Sequence, residues 1–316
     1  MALPTATHDD FWAITSYFNP MRYARRRSNF RIFRERLNVP LIAVELAYAD
    51  EFELKEQDAD ILIRLRGSAI LWQKERLLNL GLRALPPHCR KVAWVDCDII
   101  FDTADWAASA KAMLDQRAIV QMFSRVKYLP AAWTPKTNCS KEADFEVPSF
   151  AFCITSELSA ANCIAGTFDR RQGTCVNGFA WAARREILDR HGLYDASIVG
   201  GGDTALAAAA TKCFDTVVKC HYMNRRQQDL YMAWANPFYE TVRGNIGFLD
   251  KQIYHLWHGH IENRRAHTRH KGLWPFKFDP FTDIAIDTNG CWRWNTQKPE
   301  LHEYVRQYFL TRQEDG

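Results

Sequence analysis

Asp96 and Asp98 stand on either side of Cys97, directly after the run Val92-Ala93-Trp94-Val95. Two carboxylates at that spacing can both offer oxygen ligands to one hard cation. The four residues before them are continuously apolar, as in a strand buried on both faces, so the pair falls where a strand leaves its sheet. In open α/β sheets ligands collect beyond the carboxyl ends of the strands, which gives that position a meaning independent of the motif. The competing reading is a strand-terminating turn, where Asp is common for its local hydrogen bonding.

The string His255-Leu256-Trp257-His258-Gly259-His260 is the densest histidine cluster of the chain. A neutral imidazole is a good partner to carboxylates on a divalent cation, and His255, His258 and His260 are all eligible. The ordinary fate of a single histidine is structural or exposed. With Glu262 nearby the cluster also suggests a zinc hydrolase, but it lacks the His-Glu-x-x-His spacing that puts two ligands and a base on one helix face. Asp203, after Gly200-Gly201-Gly202, reads by itself as the N-cap of a helix over 204–210.

Elements that position these residues are legible in the pattern. Residues 11–18 are apolar and aromatic and end at Asn19-Pro20, a good N-cap followed by a good first helical residue. A strand therefore hands over to a helix over 20–37, with Tyr23, Phe30, Phe33 and Leu37 near one face. Arg22, Arg25, Arg26, Arg27, Arg31, Arg34 and Arg36 make that helix basic. A short strand over 40–44 closes at Glu45. Helix formers fill 69–85, and Pro86-Pro87 stops them before the strand that leads to Asp96. From 124 to 174 prolines break the pattern into loops and short strands. Asn177-Gly178-Phe179 precedes an expected helix over 181–191 capped by Gly192. A strand is expected over 213–221, and a mobile aromatic loop over 227–249. Strands alternating with helices at this spacing imply an α/β fold with a mainly parallel sheet and helices on its faces.

Composition sets bounds. At 316 residues, 47% hydrophobic, the chain can bury one large core or a core plus an appendage. Lys and Arg number 41 against 37 Asp and Glu, a net charge of +4, too mild to indicate nucleic acid. Nine cysteines lie without any CxxC pair, which suggests neither a zinc ribbon nor a disulfide framework and fits a reducing cytoplasm. No stretch approaches the eighteen or so apolar residues of a membrane span. The opening residues 1–10 carry acids and no apolar segment, so the chain is expected to be cytoplasmic.

The strand and helix at the start, the strand ending at Glu45, the helix before Asp96-Cys97-Asp98, the Gly200–Asp203 turn and a late histidine occur in an order that resembles the GT-A nucleotide-sugar glycosyltransferases. The resemblance covers about 11–270. It is nearest to transferases of bacteria and bacteriophages, and more distantly similar to β-1,4-galactosyltransferases, which also carry Asn-Gly-Phe before a Gly-Gly-acid turn. It implies a Rossmann-like, mixed and mainly parallel sheet with helices on both faces, a transferase domain over 1–275 and an extension over 276–316 packed on it.

The same resemblance implies a divalent cation, Mn²⁺ or Mg²⁺, held by Asp96, Asp98 and a late histidine, of which His258, followed by Gly, is the choice. It also implies a nucleoside diphosphate sugar, with a UDP-sugar expected, in contact with Asn19, Arg22, Glu45, Trp72, Lys74 and Cys97. A lysine before the metal strand would neutralise diphosphate charge, and an indole would pack on the nucleotide. Glu45 would meet the base or ribose, its competing role being a helix-facing ion pair. Trp72 reads more strongly as core, and Lys74 and Glu75, on the same helix as Asn79, read equally as solvated helix surface.

By position Asp203 resembles the residue that deprotonates the acceptor hydroxyl in inverting members, and a carboxylate beside an acceptor is suited to that. In a departure, Gly202 stands where galactosyltransferases carry a glutamate, which removes an acceptor contact. The acceptor is expected to be a glycan or other hydroxyl, and the arginine helix keeps a polyanion, including a modified DNA base, in view. A nucleotidyltransferase making the sugar nucleotide is the competing enzyme, but no Gly-rich basic loop follows the first strand. A non-catalytic nucleic-acid-binding protein would explain the arginines and not the acids.

Overall fold

A computed structural model describes residues 9–166, 175–266 and 268–316. Positions 1–8, at the acidic opening, and 167–174, at the end of the region expected to be loops and short strands, lie outside the described residues.

The chain opens with β1 (Phe11–Phe18), α1 (Ala24–Arg36), β2 (Leu41–Ala47), β3 (Ile61–Arg66), α2 (Lys74–Leu82) and β4 (Lys91–Val95). It continues through β5 (Ile99–Phe101), α3 (Trp106–Gln116), β6 (Ile119–Gln121), β7 (Arg125–Tyr128), α4 (Cys139–Glu142), β8 (Phe145–Pro148), α5 (Phe150–Thr155) and α6 (Ala160–Gly166). Then come β9 (Ala180–Arg184), α7 (Arg185–His191), α8 (Gly202–Ala210), α9 (Phe214–Cys220), α10 (Arg225–Val242), β10 (Ile246–Phe248) and β11 (Gln252–His255). The last elements are α11 (Arg269–Leu273), β12 (Ile284–Ile286), β13 (Trp292–Trp294) and α12 (Pro299–Leu310).

Seven strands form the main sheet in the order β10-β6-β9-β4-β1-β2-β3, parallel except for β9, which runs antiparallel to both neighbours. The continuous apolar run of β1 is explained by its alternation. Trp12, Ile14 and Phe18 enter one core with Leu77 and Leu78 of α2, Leu206 of α8 and Tyr231 of α10. Phe11, Ala13 and Tyr17 enter a second with Phe30 and Phe33 of α1 and Trp106 of α3. Helices therefore cover both faces, as the sequence implies, and both faces of the strand must be apolar. A smaller sheet, β5-β11-β7-β8, stands beside the first. Leu301, Val305 and Phe309 of α12 share the first core.

Several expectations are corrected. The segment 181–191 is a strand followed by a helix: its alanines favour a helix locally, but pairing with both β4 and β6 overrides that preference. The segment 213–221 is the helix α9, whose buried residues Phe214 and Val217 are three apart, a helical spacing. The segment 227–249 is helix and strand: Asn224 and Gln227 form a capping box for α10, and Tyr231, Ala235, Phe238 and Val242 make its buried stripe. The first helix begins at Ala24, because the Asn19 side chain folds a local turn onto Tyr23 and Arg22 is left-handed, φ 57°. The second begins at Lys74, not at 69. The parallel edge strand β3 adds to the sequence reading and makes β4, which leads to Asp96, the fourth strand.

Candidate active site

The smaller sheet explains how Asp98 meets the histidines. β5 starts one residue after Asp98 and pairs antiparallel with β11, bringing Ile99 opposite His255. The Asp98 carbonyl also accepts from the Leu256 N–H at 2.8 Å. His258 Nε2 thereby comes within 2.9 Å of Asp98 Oδ2. His255 Nε2 lies 3.2 Å from His258 Nε2, and Arg264 Nη2 lies 2.9 Å from His258 Nε2 and 3.3 Å from His255 Nε2. Both imidazoles are buried, and His255 packs between Tyr128 and Phe179. Burial works against charge on the Asp98 carboxylate, but His258, His255 and Arg264 hold its pKa well below the usual range. Burial and Arg264 keep the His255 imidazole neutral, far below its ordinary value.

Asp98, His255 and His258 offer ligand atoms that all lie within 4.8 Å of one another. The protein's own protons serve this cluster poorly. If His258 Nε2 donates to Asp98 it has no lone pair for Arg264, and if it accepts from Arg264 it has no proton for Asp98. Asp98 Oδ1 is buried without a hydrogen-bond partner among the described residues. One carboxylate oxygen and two imidazole nitrogens converging in this way fit a divalent cation such as Mn²⁺, which would take the lone pairs together.

Asp96 turns elsewhere. Its Oδ1 lies 2.6 Å from Lys74 Nζ, and the same ammonium lies 2.8 Å from Asp203 Oδ2. Lys74 opens α2 and Asp203 sits in the first turn of α8, so one buried cation ties the end of β4 to two helix starts. Burial raises the Asp96 pKa to about 6 against the pull of Lys74, with repulsion from Asp203 and Asp98 adding to it. The helix start at Asp203 is not capped by its side chain: Gly201 occupies the N-cap position. Beside it, Glu75 is buried, accepts from Trp72 Nε1 at 3.1 Å through Oε2, and leaves Oε1 unpartnered among the described residues. That oxygen fills the space a Cβ at Gly202 would need. The position can only be glycine while Glu75 stays there, and a carboxylate reaches this place from α2 instead of from α8. Asn177 supports the turn from behind, donating to Thr204 Oγ1 at 3.2 Å.

Beyond the carboxyl ends of β1 and β2 lies a cavity of about 140 Å³. Tyr17, Asn19, Arg22, Glu45, Tyr48 and Glu53 are among its walls. The Glu53 carboxylate accepts from Tyr17 Oη at 2.5 Å and from Asn19 Nδ2 at 3.1 Å. Glu45 is fully buried and accepts from the N–H groups of Glu53 and Leu54, pinning the loop after β2. Its charged neighbour is Arg64 of the adjacent strand, 3.9 Å away, and not a helix residue.

The expected residues thus fall into separate places. Asp98 and His258 meet, with His255 and not Asp96 as their near companion. Lys74, Asp96 and Asp203 form a second cluster. Asn19, Arg22 and Glu45 share the cavity. Trp72 stacks on Phe309 and meets Phe18 edge-on, a core-like setting. Cys97 is buried with its thiol toward the Ser16 carbonyl, and Asn79 bonds Leu193 and Asp195 away from these groups. Sequence reasoning missed Arg264, at the end of a short 3-10 turn, and Glu53, in the loop after β2, single charged residues with no spacing to mark them.

No family model matches the chain, and no curated protein matches it. Solved structures similar to it include S. aureus TarS 1–349 in complex with UDP-GlcNAc, at 12% identity and a TM-score of 0.41 over 78% of this chain and 58% of that one. A second is glucosyl-3-phosphoglycerate synthase from Mycobacterium tuberculosis with Mn²⁺, uridine diphosphate and phosphoglyceric acid, at 15% identity and 0.41 over 82% and 74%. A third is the mannosyltransferase PcManGT from Pyrobaculum calidifontis with GDP-Man and Mn²⁺, at 14% identity and 0.37 over 77% and 75%. The chain spans 36% to 60% of the length of the TarS chains it matches.

Proposed function

We propose that this chain is a metal-dependent glycosyltransferase that moves a sugar from a nucleoside diphosphate sugar to a hydroxyl acceptor. The observation that carries the reading is the convergence of Asp98, His255 and His258 on one point at the strand ends, with Lys74 and Asp203 on one side. Asp98 and His258 would hold Mn²⁺ or Mg²⁺ with His255 beside them, and Asp96 would join once Lys74 releases it. A bound cation supplies charge stabilisation to the departing diphosphate. The cavity walled by Asn19, Arg22 and Glu45 takes the nucleoside, with a UDP-sugar the first donor to test. Residues 1–275 make the transferase domain and 276–316 an extension that completes its core.

In the reaction the acceptor oxygen bonds to the anomeric carbon while the bond from that carbon to the diphosphate oxygen breaks. The hydroxyl proton passes to Asp203, and the configuration inverts. Lys74, now bridging two carboxylates, is placed to exchange one of them for diphosphate oxygen. The test is thermal shift with uridine and guanosine diphosphates, with and without Mn²⁺. A metal-dependent rise in melting temperature, abolished by Asp98→Ala, supports the reading; no shift with any nucleoside diphosphate rejects it.

A further inference from the structure

We propose that Glu314 is a positioning residue for His258, and that residues 312–315 act as a strap that fixes the histidine-bearing loop in its ligand geometry. The inference rests on the metal-dependent reading above. Glu314 is 1% exposed, and its Oε1 stands 3.6 Å from His258 Nδ1, on the side of the ring opposite Asp98. His258 Nδ1 is itself buried and has no hydrogen-bond partner among the described residues. Glu314 is held from two directions, by Arg26 Nε at 2.6 Å and Nη2 at 3.0 Å, and by Arg312 Nε at 2.5 Å. A carboxylate so fixed cannot wander from the imidazole it faces.

The backbone is tied down as firmly. Gly259, next to His258, has φ 84°, and a Cβ there would meet the carbonyl oxygens of Arg312 at 2.7 Å and Gln313 at 2.8 Å. The strap therefore lies directly against the loop, and only glycine allows the approach. Asp315 accepts from the N–H groups of Ala24 at 3.0 Å and Arg25 at 2.7 Å, closing the first turn of α1. Asn29 of α1 returns a hydrogen bond to the Trp257 carbonyl at 3.1 Å. Helix, loop and strap brace one another around His258.

The chemistry follows from the two nitrogens of one ring. A carboxylate on the Nδ1 side selects the tautomer with the proton on Nδ1, which leaves the Nε2 lone pair for a cation beside Asp98. Glu314 Oε1, 3.6 Å from Nδ1, would hold the ring with Nε2 toward Asp98, where the pair would supply ligand atoms to a divalent cation. Glu314 thus acts through His258 and not on substrate.

The experiment measures Mn²⁺ affinity of the full chain by electron paramagnetic resonance of free Mn²⁺, for the wild type, Glu314→Gln, Glu314→Asp and Asp315→Asn. Glu314→Gln removes the charge. Glu314→Asp keeps a carboxylate for the arginines but withdraws it from His258, so it tests the idea even if Gln unsettles the fold. The expected result is affinity about 10- to 100-fold weaker in both Glu314 variants. Asp315→Asn loosens the strap's hold on α1, so it should lower the melting temperature and weaken the affinity by a smaller factor than either Glu314 variant. Wild-type binding with an unaltered affinity in Glu314→Asp overturns this proposal alone, whereas a wild type that binds no Mn²⁺ overturns the metal reading beneath it.

Discussion

Lys74 Nζ lies 2.8 Å from Asp203 Oδ2, and this one contact joins the first residue of α2 to the first turn of α8 across 129 positions of sequence. The same ammonium serves Asp96, so two carboxylates from different elements depend on a single buried cation. Burial works against the charge on Lys74, but Asp203, Asp96 and Glu75 keep it protonated well above its usual range.

Replacing Lys74 by Met should therefore be severe. The isosteric stem still packs, but Asp96 and Asp203 would face each other with no counter-charge. Breaking such a buried pair costs about 3–5 kcal/mol, toward the lower end here because both carboxylates keep some solvent contact. Chemical denaturation should show the loss as a lower midpoint at unchanged slope. A variant as stable as the wild type would mean that the ammonium does not hold this junction together.

Asp203→Asn separates base chemistry from structure. Asn keeps a polar oxygen for Lys74 but accepts no proton, so turnover should fall about 10²- to 10⁴-fold while donor affinity stays within a few-fold. Steady-state kinetics on the donor and acceptor that turn over would report it as a loss in kcat at nearly constant donor KM. A kcat close to wild type would remove Asp203 from the base role.

Glu75 gives a pH signature. Burial, opposed by Lys74 and reinforced by Asp203 and Asp96, raises its pKa from 4.5 to about 8. The folded state keeps this proton while the unfolded chain releases it, so stability is full below about pH 4.5 and falls as pH climbs toward 8. The penalty grows by about 1.4 kcal/mol per pH unit inside that window. Glu75→Gln cannot ionise, and melting curves should show it gaining on the wild type from pH 5 to pH 8. A gain independent of pH would contradict a protonated Glu75.

How far the sequence discloses this site depends on how local each signal is. The strand into Asp96 and Asp98 is legible because a both-faces-buried strand must be continuously apolar, and β4 sits between β1 and β9. The histidine loop is legible as a cluster, yet the partnership of His255 with His258 follows from the register of β11 against β5, which no local pattern encodes. The division of labour between Asp96 and Asp98 is hidden for the same reason: Lys74 comes from a helix twenty-two positions earlier and competes for one of them. Where the reading of elements fails, at β9 and α9, tertiary pairing and packing outweigh alanine and valine preferences.

Acid stability should be set in part by His221 and His270, which stack with ring centroids 3.9 Å apart beneath Gly201. Burial, with Arg269 adding repulsion, lowers the His221 pKa to about 3. Burial, together with His221 and Arg269, takes His270 well below its ordinary value as well. The folded state thus resists protons that the unfolded chain binds near pH 6.5, so the stabilisation is complete above 6.5 and drains away as pH falls toward 3. Each ring contributes about 1.4 kcal/mol per pH unit within its window. His221→Phe keeps a flat ring in the stack but cannot be protonated, so its unfolding free energy should fall less steeply between pH 6 and pH 4 than that of the wild type. Because the pair carries the turn that ends in Asp203, the same variant should retain donor turnover at pH 5.5 better than the wild type does. Parallel slopes for the two proteins, measured by urea unfolding across this range, would show that the stacked imidazoles are not the acid-sensitive element.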